Sequence, residues 1–149
     1  MEFKIPQPLK SEHEELHAEL TEIIRAGGRI GEAAQAVAET LHPHFVKEEE
    51  SALPPLGLLR LLAEGKVSSE MREVLSMTDR LKMELPQMLQ EHKAIVAKLQ
   101  DLIEVAKKEG RREPARFAEK LMLHAQTEEE VLYPASLLIG DYLRVSGWC

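Results

Sequence analysis

One string occurs twice in this chain of 149 residues: His44 to Pro54 and His124 to Pro134 both read His-x-x-x-Glu-Glu-Glu-x-x-x-Pro. A second echo precedes each copy, Glu12-His13-x-x-Leu16-x-Ala18-x-Leu20 and Glu91-His92-x-x-Ile95-x-Ala97-x-Leu99. His13 and His92 lie 79 positions apart, while His44 and His124, like Glu48 and Glu128, lie 80 apart. A step of four residues puts His and Glu on one face of a helix, whereas a strand uses a period of two. The repeat therefore predicts two copies of one helical hairpin, related by an approximate two-fold axis near which like residues meet.

Punctuation along the chain supports four long helices. Residues 1–9, with two prolines, read as an extended arm, and Ser11 with Glu14 forms a capping box. The first long helix then runs to Gly27-Gly28. The second runs from near Gly31 to before Pro54, with a kink expected at Pro43. Residues 55–80 form the connection: a short apolar helix from Leu56 to Leu62, a turn at Gly65, and a further helical piece capped by Ser68-Ser69. The third long helix covers about 81–109, bent by Pro86. The fourth starts near Glu113-Pro114, with Pro at the first helical position, and ends before Pro134. A last short helix over about 135–144 precedes the Gly147-Trp148-Cys149 tail. The expectation is an all-α, antiparallel up-down four-helix bundle in one domain over 1–149, with hairpins at about 11–53 and 81–133.

Helical spacing predicts which residues face the core. The stripes run His13, Leu16, Leu20, Ile23; Val37, Leu41, His44, Glu48, then Ser51 or Ala52; Leu85, Met88, His92, Ile95, Leu99, Leu102, Ala106; and Phe117, Leu121, His124, Glu128, Val131. Each long helix thus interrupts its apolar stripe with a histidine, and two add a glutamate one turn later. A lone His on an apolar face is ordinarily a hydrogen-bonded core residue, and a His-x-x-x-Glu pair is ordinarily an i,i+4 contact. Convergence changes that reading. Four imidazoles and two carboxylates in one buried layer cost several kcal/mol of solvation per carboxylate unless cations are present. The metal candidates are therefore His13, His44, Glu48, His92, His124 and Glu128.

Neighbouring polar residues are weaker candidates. Glu49, Glu50, Glu129 and Glu130 rotate by about 100° and 200° from the ligand face and are expected mostly in water, Glu49 and Glu129 nearest the rim. His17, one turn after His13, is a candidate fifth imidazole or outer donor, although its counterpart in the repeat is Val96. His42 is expected on the surface. Tyr133 can aim its hydroxyl at the site, though closing the bundle end is its plainer role.

Composition narrows the partners. A net charge of −7 and a pI near 5.4 provide no basic stripe for nucleic acid. The apolar runs are too short for a membrane span and the start is too polar for a signal peptide, so a cytoplasmic protein is expected. A single cysteine, Cys149, excludes an intramolecular disulfide and thiolate metal sites, and reads as an incidental thiol. Leu58, Leu59, Leu61 and Leu62 could form a strip for homodimerisation, though covering one end of the bundle is the plainer role.

Nitrogen and oxygen ligands in a helical bundle suit iron or manganese and do not exclude zinc or copper. Paired Glu in such bundles commonly bridge two ions. Six protein ligands leave coordination positions for dioxygen, peroxide, nitric oxide or azide.

The placement of His13, His44-x-x-x-Glu48, His92 and His124-x-x-x-Glu128 resembles the hemerythrin-like HHE cation-binding domains over residues 11–135. The resemblance implies an up-down bundle holding two irons, with His13, His44, His92 and His124 as terminal ligands and Glu48 and Glu128 as bridges. Oxygen-carrying members have a His pair on the third helix and a longer His-to-Asp spacing on the fourth. Here Met88 stands one turn before His92, and Glu128 follows His124 at the shorter spacing. The set of four His and two Glu is closer to iron-cluster repair and nitric-oxide-response members, which usually carry an N-terminal cysteine-bearing segment. The implied functions are a sensor, store or scavenger of small ligands, an iron-cluster repair or nitric-oxide- or peroxide-reducing enzyme, or a metal-dependent interaction module.

Overall fold

A computed structural model describes residues 2–146; the expected tail and its Cys149 thiol lie outside the described residues. Helix α1 spans Gln7–Arg25 and starts before the expected Ser11 cap. Pro6 sits at its N-cap and Pro8 in its first turn, where a fixed φ and a missing N–H are harmless. Ser11 instead lies inside the helix and accepts a hydrogen bond from the Gln7 amide at 3.0 Å.

Helix α2, Gly28–Lys47, continues through Pro43. It passes into a π-helical turn, Glu48–Ala52, then a 3₁₀ turn, Pro54–Leu58, and the short helix α3, Leu59–Ala63. A second 3₁₀ turn, Ser69–Val74, feeds α4, Leu75–Lys108, which starts earlier than expected and runs on through Pro86. Gly110, at φ +68°, then reverses the chain, and the Arg111 N–H reaches back to the Ala106 carbonyl at 2.9 Å. Helix α5, Arg112–Thr127, places Pro114 at its third position and not its first. A second π-helical turn, Glu128–Leu132, leads directly into α6, Tyr133–Val145. The described residues contain no strand, and no helix is long and apolar enough to cross a membrane.

The four long helices close a ring: α1 packs on α2 and α5, and α4 packs on the same two. Exchanging the two halves of the repeat maps this set of contacts onto itself. One end of the ring is filled by Leu16, Leu20, Val37, Leu41, Ile95, Leu99, Leu102, Phe117 and Leu121. Burying each such side chain is worth about 1.5–3 kcal/mol. The other end is closed by Leu53, Leu56, Leu58, Met71, Val74, Ile139 and Leu143, with Phe3, Ile5 and Leu9 packed on them from the N-terminal arm and α1. Here the leucine strip has its plainer role: Leu58 is buried, Leu61 and Leu62 are half-buried, and Leu59 alone stays exposed. The candidate residues lie between these two apolar ends.

Helix α6 crosses α4 closely at Gly140, where an added Cβ would lie 2.3 Å from Thr78 Oγ1 and 2.7 Å from its Cβ. Overpacking of this kind typically costs about 1–3 kcal/mol. Gly140→Ala should lower the urea midpoint accordingly, and a midpoint equal to the parent's would show that the contact relaxes freely.

Candidate metal centre

The ring brings the six candidate side chains together. His13 comes from α1, His44 from α2, His92 from α4 and His124 from α5; all four are at most 6% exposed. Glu48 and Glu128 are each the first residue of a π-helical turn and are buried completely or nearly so. His44 Nε2 lies 3.1 Å from Glu48 Oε1, and His92 Nε2 lies 3.0 Å from Glu128 Oε1. His124 Nε2 and His13 Nε2 face Glu128 Oε2 at 3.1 and 3.6 Å. The donor atoms form two groups: His44, Glu48, His92 and Glu128, and His13, His124 and Glu128. Glu128 therefore belongs to both, which is the placement a bridging carboxylate needs, while Glu48 belongs to the first.

The two π turns explain a departure from the expected stripe. The N–H groups of Leu53 and Tyr133 bond to the carbonyls of Glu48 and Glu128, five residues back. One extra residue per turn rotates the succeeding residues by about 100°. Val131, expected in the core, is consequently 55% exposed, and Tyr133 turns inward at 1%. Its hydroxyl lies 3.2 Å from Nε2 of both His44 and His92. Tyr133 thus belongs to the site as well as to the bundle end.

Around the imidazoles stands a ring of outer carboxylates. Nδ1 of His124 donates to Glu12 at 2.6 Å, Nδ1 of His44 to Glu91 at 2.8 Å, and Nδ1 of His92 to Glu129 at 2.9 Å. Glu49 faces Nδ1 of His13 at 3.6 Å. The repeat is preserved here too: the Glu12–His124 pair corresponds to Glu91–His44, and Glu49–His13 to Glu129–His92. Glu49 and Glu129 do stand in water at the rim, yet each also points at an imidazole. Glu12 and Glu91 went unassigned in the sequence, although the repeated Glu-His dipeptide contains them. Lys47 reinforces Glu91 at 2.5 Å. Burial alone would raise the Glu91 carboxyl, but Lys47, His44 and Gln87 bring it below its ordinary value. Such outer partners fix the tautomer and aim the other nitrogen inward.

That tautomer creates the decisive electrostatic problem. An Nδ1 that donates its hydrogen leaves a neutral imidazole with a bare lone pair at Nε2. In His44, His92 and His124 this lone pair faces a carboxylate oxygen at 3.0–3.1 Å. Two lone pairs at that distance repel unless a proton or a cation lies between them. Neither oxygen of Glu48 has a hydrogen-bond partner, although the residue is fully buried. In the metal-free chain, protons meet part of this demand. Burial opposes charge on His92 and His124, but Glu128 with Glu129 and Glu12 raises both above the ordinary histidine value. Burial lowers His44 despite Glu91. Burial and the charge of Glu128 push Glu48 well above the carboxylate range. Burial opposes ionisation of Glu128 too, but its contacts with Glu48 and three imidazoles hold it well below that range. Burial, followed by the charges of Glu48 and Glu128, keeps the Tyr133 proton in place. The donor set, its orphaned oxygens and its inward lone pairs all fit cations in place of those protons.

The other two histidines stand apart. His17 and His42 are exposed, with ring centroids 5.9 Å from each other, and neither joins the two donor groups.

The family model described as Hemerythrin HHE cation binding domain matches residues 5–136. No curated protein and no solved structure matches the chain.

Proposed function

The chain belongs to the hemerythrin family of HHE cation-binding domains, and on that premise we propose that it is a non-haem di-iron protein that binds small ligands such as dioxygen, nitric oxide or peroxide. Its role would be sensor, store or scavenger, in the cytoplasm. The observation that carries this reading is the set of Nε2 lone pairs aimed at buried carboxylate oxygens, which cations reconcile. One ion would be held by His44, His92, Glu48 and Glu128, the other by His13, His124 and Glu128. Manganese or zinc would find the same donors acceptable. A pair of redox-active ions with open coordination positions supplies ligand binding and electron transfer. The chain supplies the remainder: outer carboxylates that hold the imidazoles, apolar layers that exclude water, and a phenol that keeps its proton.

Metal content combined with anaerobic titration by dioxygen and nitric oxide tests the proposal. Two irons per chain, with an absorption band that appears on aeration and vanishes under vacuum, would support a reversible binder. A chain purified from iron-replete cells that holds no transition metal would refute the reading.

Tyr133 favours a second reading, an enzyme that reduces peroxide or nitric oxide. A hydroxyl 3.2 Å from two imidazoles, its proton held in place by burial, can donate a hydrogen bond to a ligand in the site and so polarise it for reduction. Tyr133→Phe should retain the parent's metal content and release bound nitric oxide up to about tenfold faster, as loss of one hydrogen bond worth about 0.5–1.5 kcal/mol allows. If metal content falls instead, the phenol is a ligand and not a donor.

A further inference from the structure

A cleft of about 310 Å³ opens beside His13, and His17, His42, Phe45, Val46 and Glu49 also line it. We infer that this cleft is the entrance by which divalent cations reach the buried positions, with His17 and His42 taking the ion first and His13 giving way to admit it. The inference rests on the proposal that the bundle holds metal.

His13 is the loosest of the four inner histidines. Both nitrogens of His44, His92 and His124 have partners at 2.6–3.1 Å. Both nitrogens of His13 stand 3.6 Å from theirs, and Nδ1 has no hydrogen bond although the residue is 3% exposed. Its ring is stacked on Phe45, with centroids 3.9 Å apart and planes 5° from parallel, and meets the His124 ring edge-on at 5.2 Å. Face-to-face contact fixes the plane of a ring but, unlike a hydrogen bond, not its position within that plane. His13 is thus the inner ligand that can shift at least cost, and it forms the wall between cleft and centre.

The outer end suits a cation. The His17 and His42 centroids are 5.9 Å apart, a spacing near the 5.2 Å between His13 and His124 and the 4.6 Å between His44 and His92 in the two donor groups. Two carboxylates, Glu14 and Glu49, border the cleft, and no lysine or arginine does. Glu49 bridges the two ends, since it lines the cleft and faces His13 Nδ1. Duplication does not explain the arrangement. The positions equivalent to His17, His42 and Phe45 in the second half are Val96, Met122 and Ala125, so the imidazole pair and the ring stack exist on one side only.

The test mixes cobalt(II) with the metal-free full chain and follows the visible absorbance of the loaded centre. His17→Ala with His42→Ala should slow loading about tenfold, as expected for loss of a local cation-concentrating group, with the final ion count and affinity unchanged. Val46→Trp, which fills the cleft and removes no ligand, should slow loading and release by the same factor. Loading of both variants at the parent's rate would overturn the entrance. A lower ion count in the double variant would also overturn it, because His17 and His42 would then hold a resident ion. A parent chain that takes up no cobalt would instead refute the metal reading itself.

Discussion

Glu128→Ala should abolish binding of both ions, whereas Glu48→Ala should impair chiefly the position built on His44 and His92. The asymmetry comes from geometry, since Glu128 stands in both donor groups and Glu48 in one. Removing a carboxylate also removes the counter-charge to bound cations, and breaking a buried ionic arrangement typically costs about 3–5 kcal/mol. Glu128→Ala should therefore weaken the metal-free fold as well, because this ionised carboxylate is what His13, His92 and His124 face. Metal analysis of the purified variants, alongside urea unfolding of their stripped forms, reads both effects. If either alanine variant binds as much iron as the parent, the assignment of that residue fails; if both do, the centre is not where these residues meet.

Glu48→Gln separates folding from metal binding. Burial and the charge of Glu128 push the Glu48 carboxyl well above its ordinary value, which favours its neutral form in the stripped protein. A neutral amide of nearly the same shape then replaces a neutral acid, and the stripped fold should keep its stability to within about 1 kcal/mol. The same variant should lose most of its metal, because an amide supplies no negative charge to a bridging or terminal position. A fall in stability equal to that of Glu128→Ala would show that Glu48 is ionised in the stripped chain.

The overall plan was legible because helices announce themselves by period. The joint at Gly27-Gly28, the stop at Gly110 and the apolar steps through Ile95, Leu99 and Leu102 all appear where the spacing places them. The convergence of His13, His44, His92 and His124 was legible for a second reason: duplication made one set of positions testify for the other. What the sequence hid were features that arise from packing. The turns at Glu48 and Glu128 exist where a buried carboxylate meets its imidazoles, and the second of them brings Tyr133 inward and turns Val131 outward. Glu12 and Glu91 were hidden differently, since a helical wheel places them outside the core stripe and only the neighbouring helix supplies the imidazole each one holds. Pro6 and Pro8 misled because a proline can open a helix as readily as bar one, and here α1 begins directly after Pro6 while Phe3, Ile5 and Leu9 pack on the cluster of Leu53, Leu56 and Leu58.

Removing the metal from the parent chain should lower its thermal midpoint by about 8–16 °C. A ligand present at a thousand times its dissociation constant adds about 4 kcal/mol to the folded state, and in a chain of this size each kcal/mol moves the midpoint by about 2–4 °C. The stripped protein must still accommodate two buried carboxylates and four buried imidazoles, with protons in place of cations. That substitution has a direction in pH. His92, His124 and Glu48 are all raised in the folded chain, so the stability they contribute is present at low pH and is lost as pH rises through their folded values. Glu128 and His44 are lowered and act the opposite way, but their loss falls on the acid side. Above the ordinary histidine value of about 6.5 the stripped protein therefore weakens, while the loaded one gains, because fewer protons compete for its ligands. The gap between the two midpoints should widen as pH rises from about 6.5. Calorimetry of loaded and stripped protein across that range decides the matter. A gap that is absent, or that narrows with rising pH, would mean that protons and not cations are what this buried cluster is built to hold.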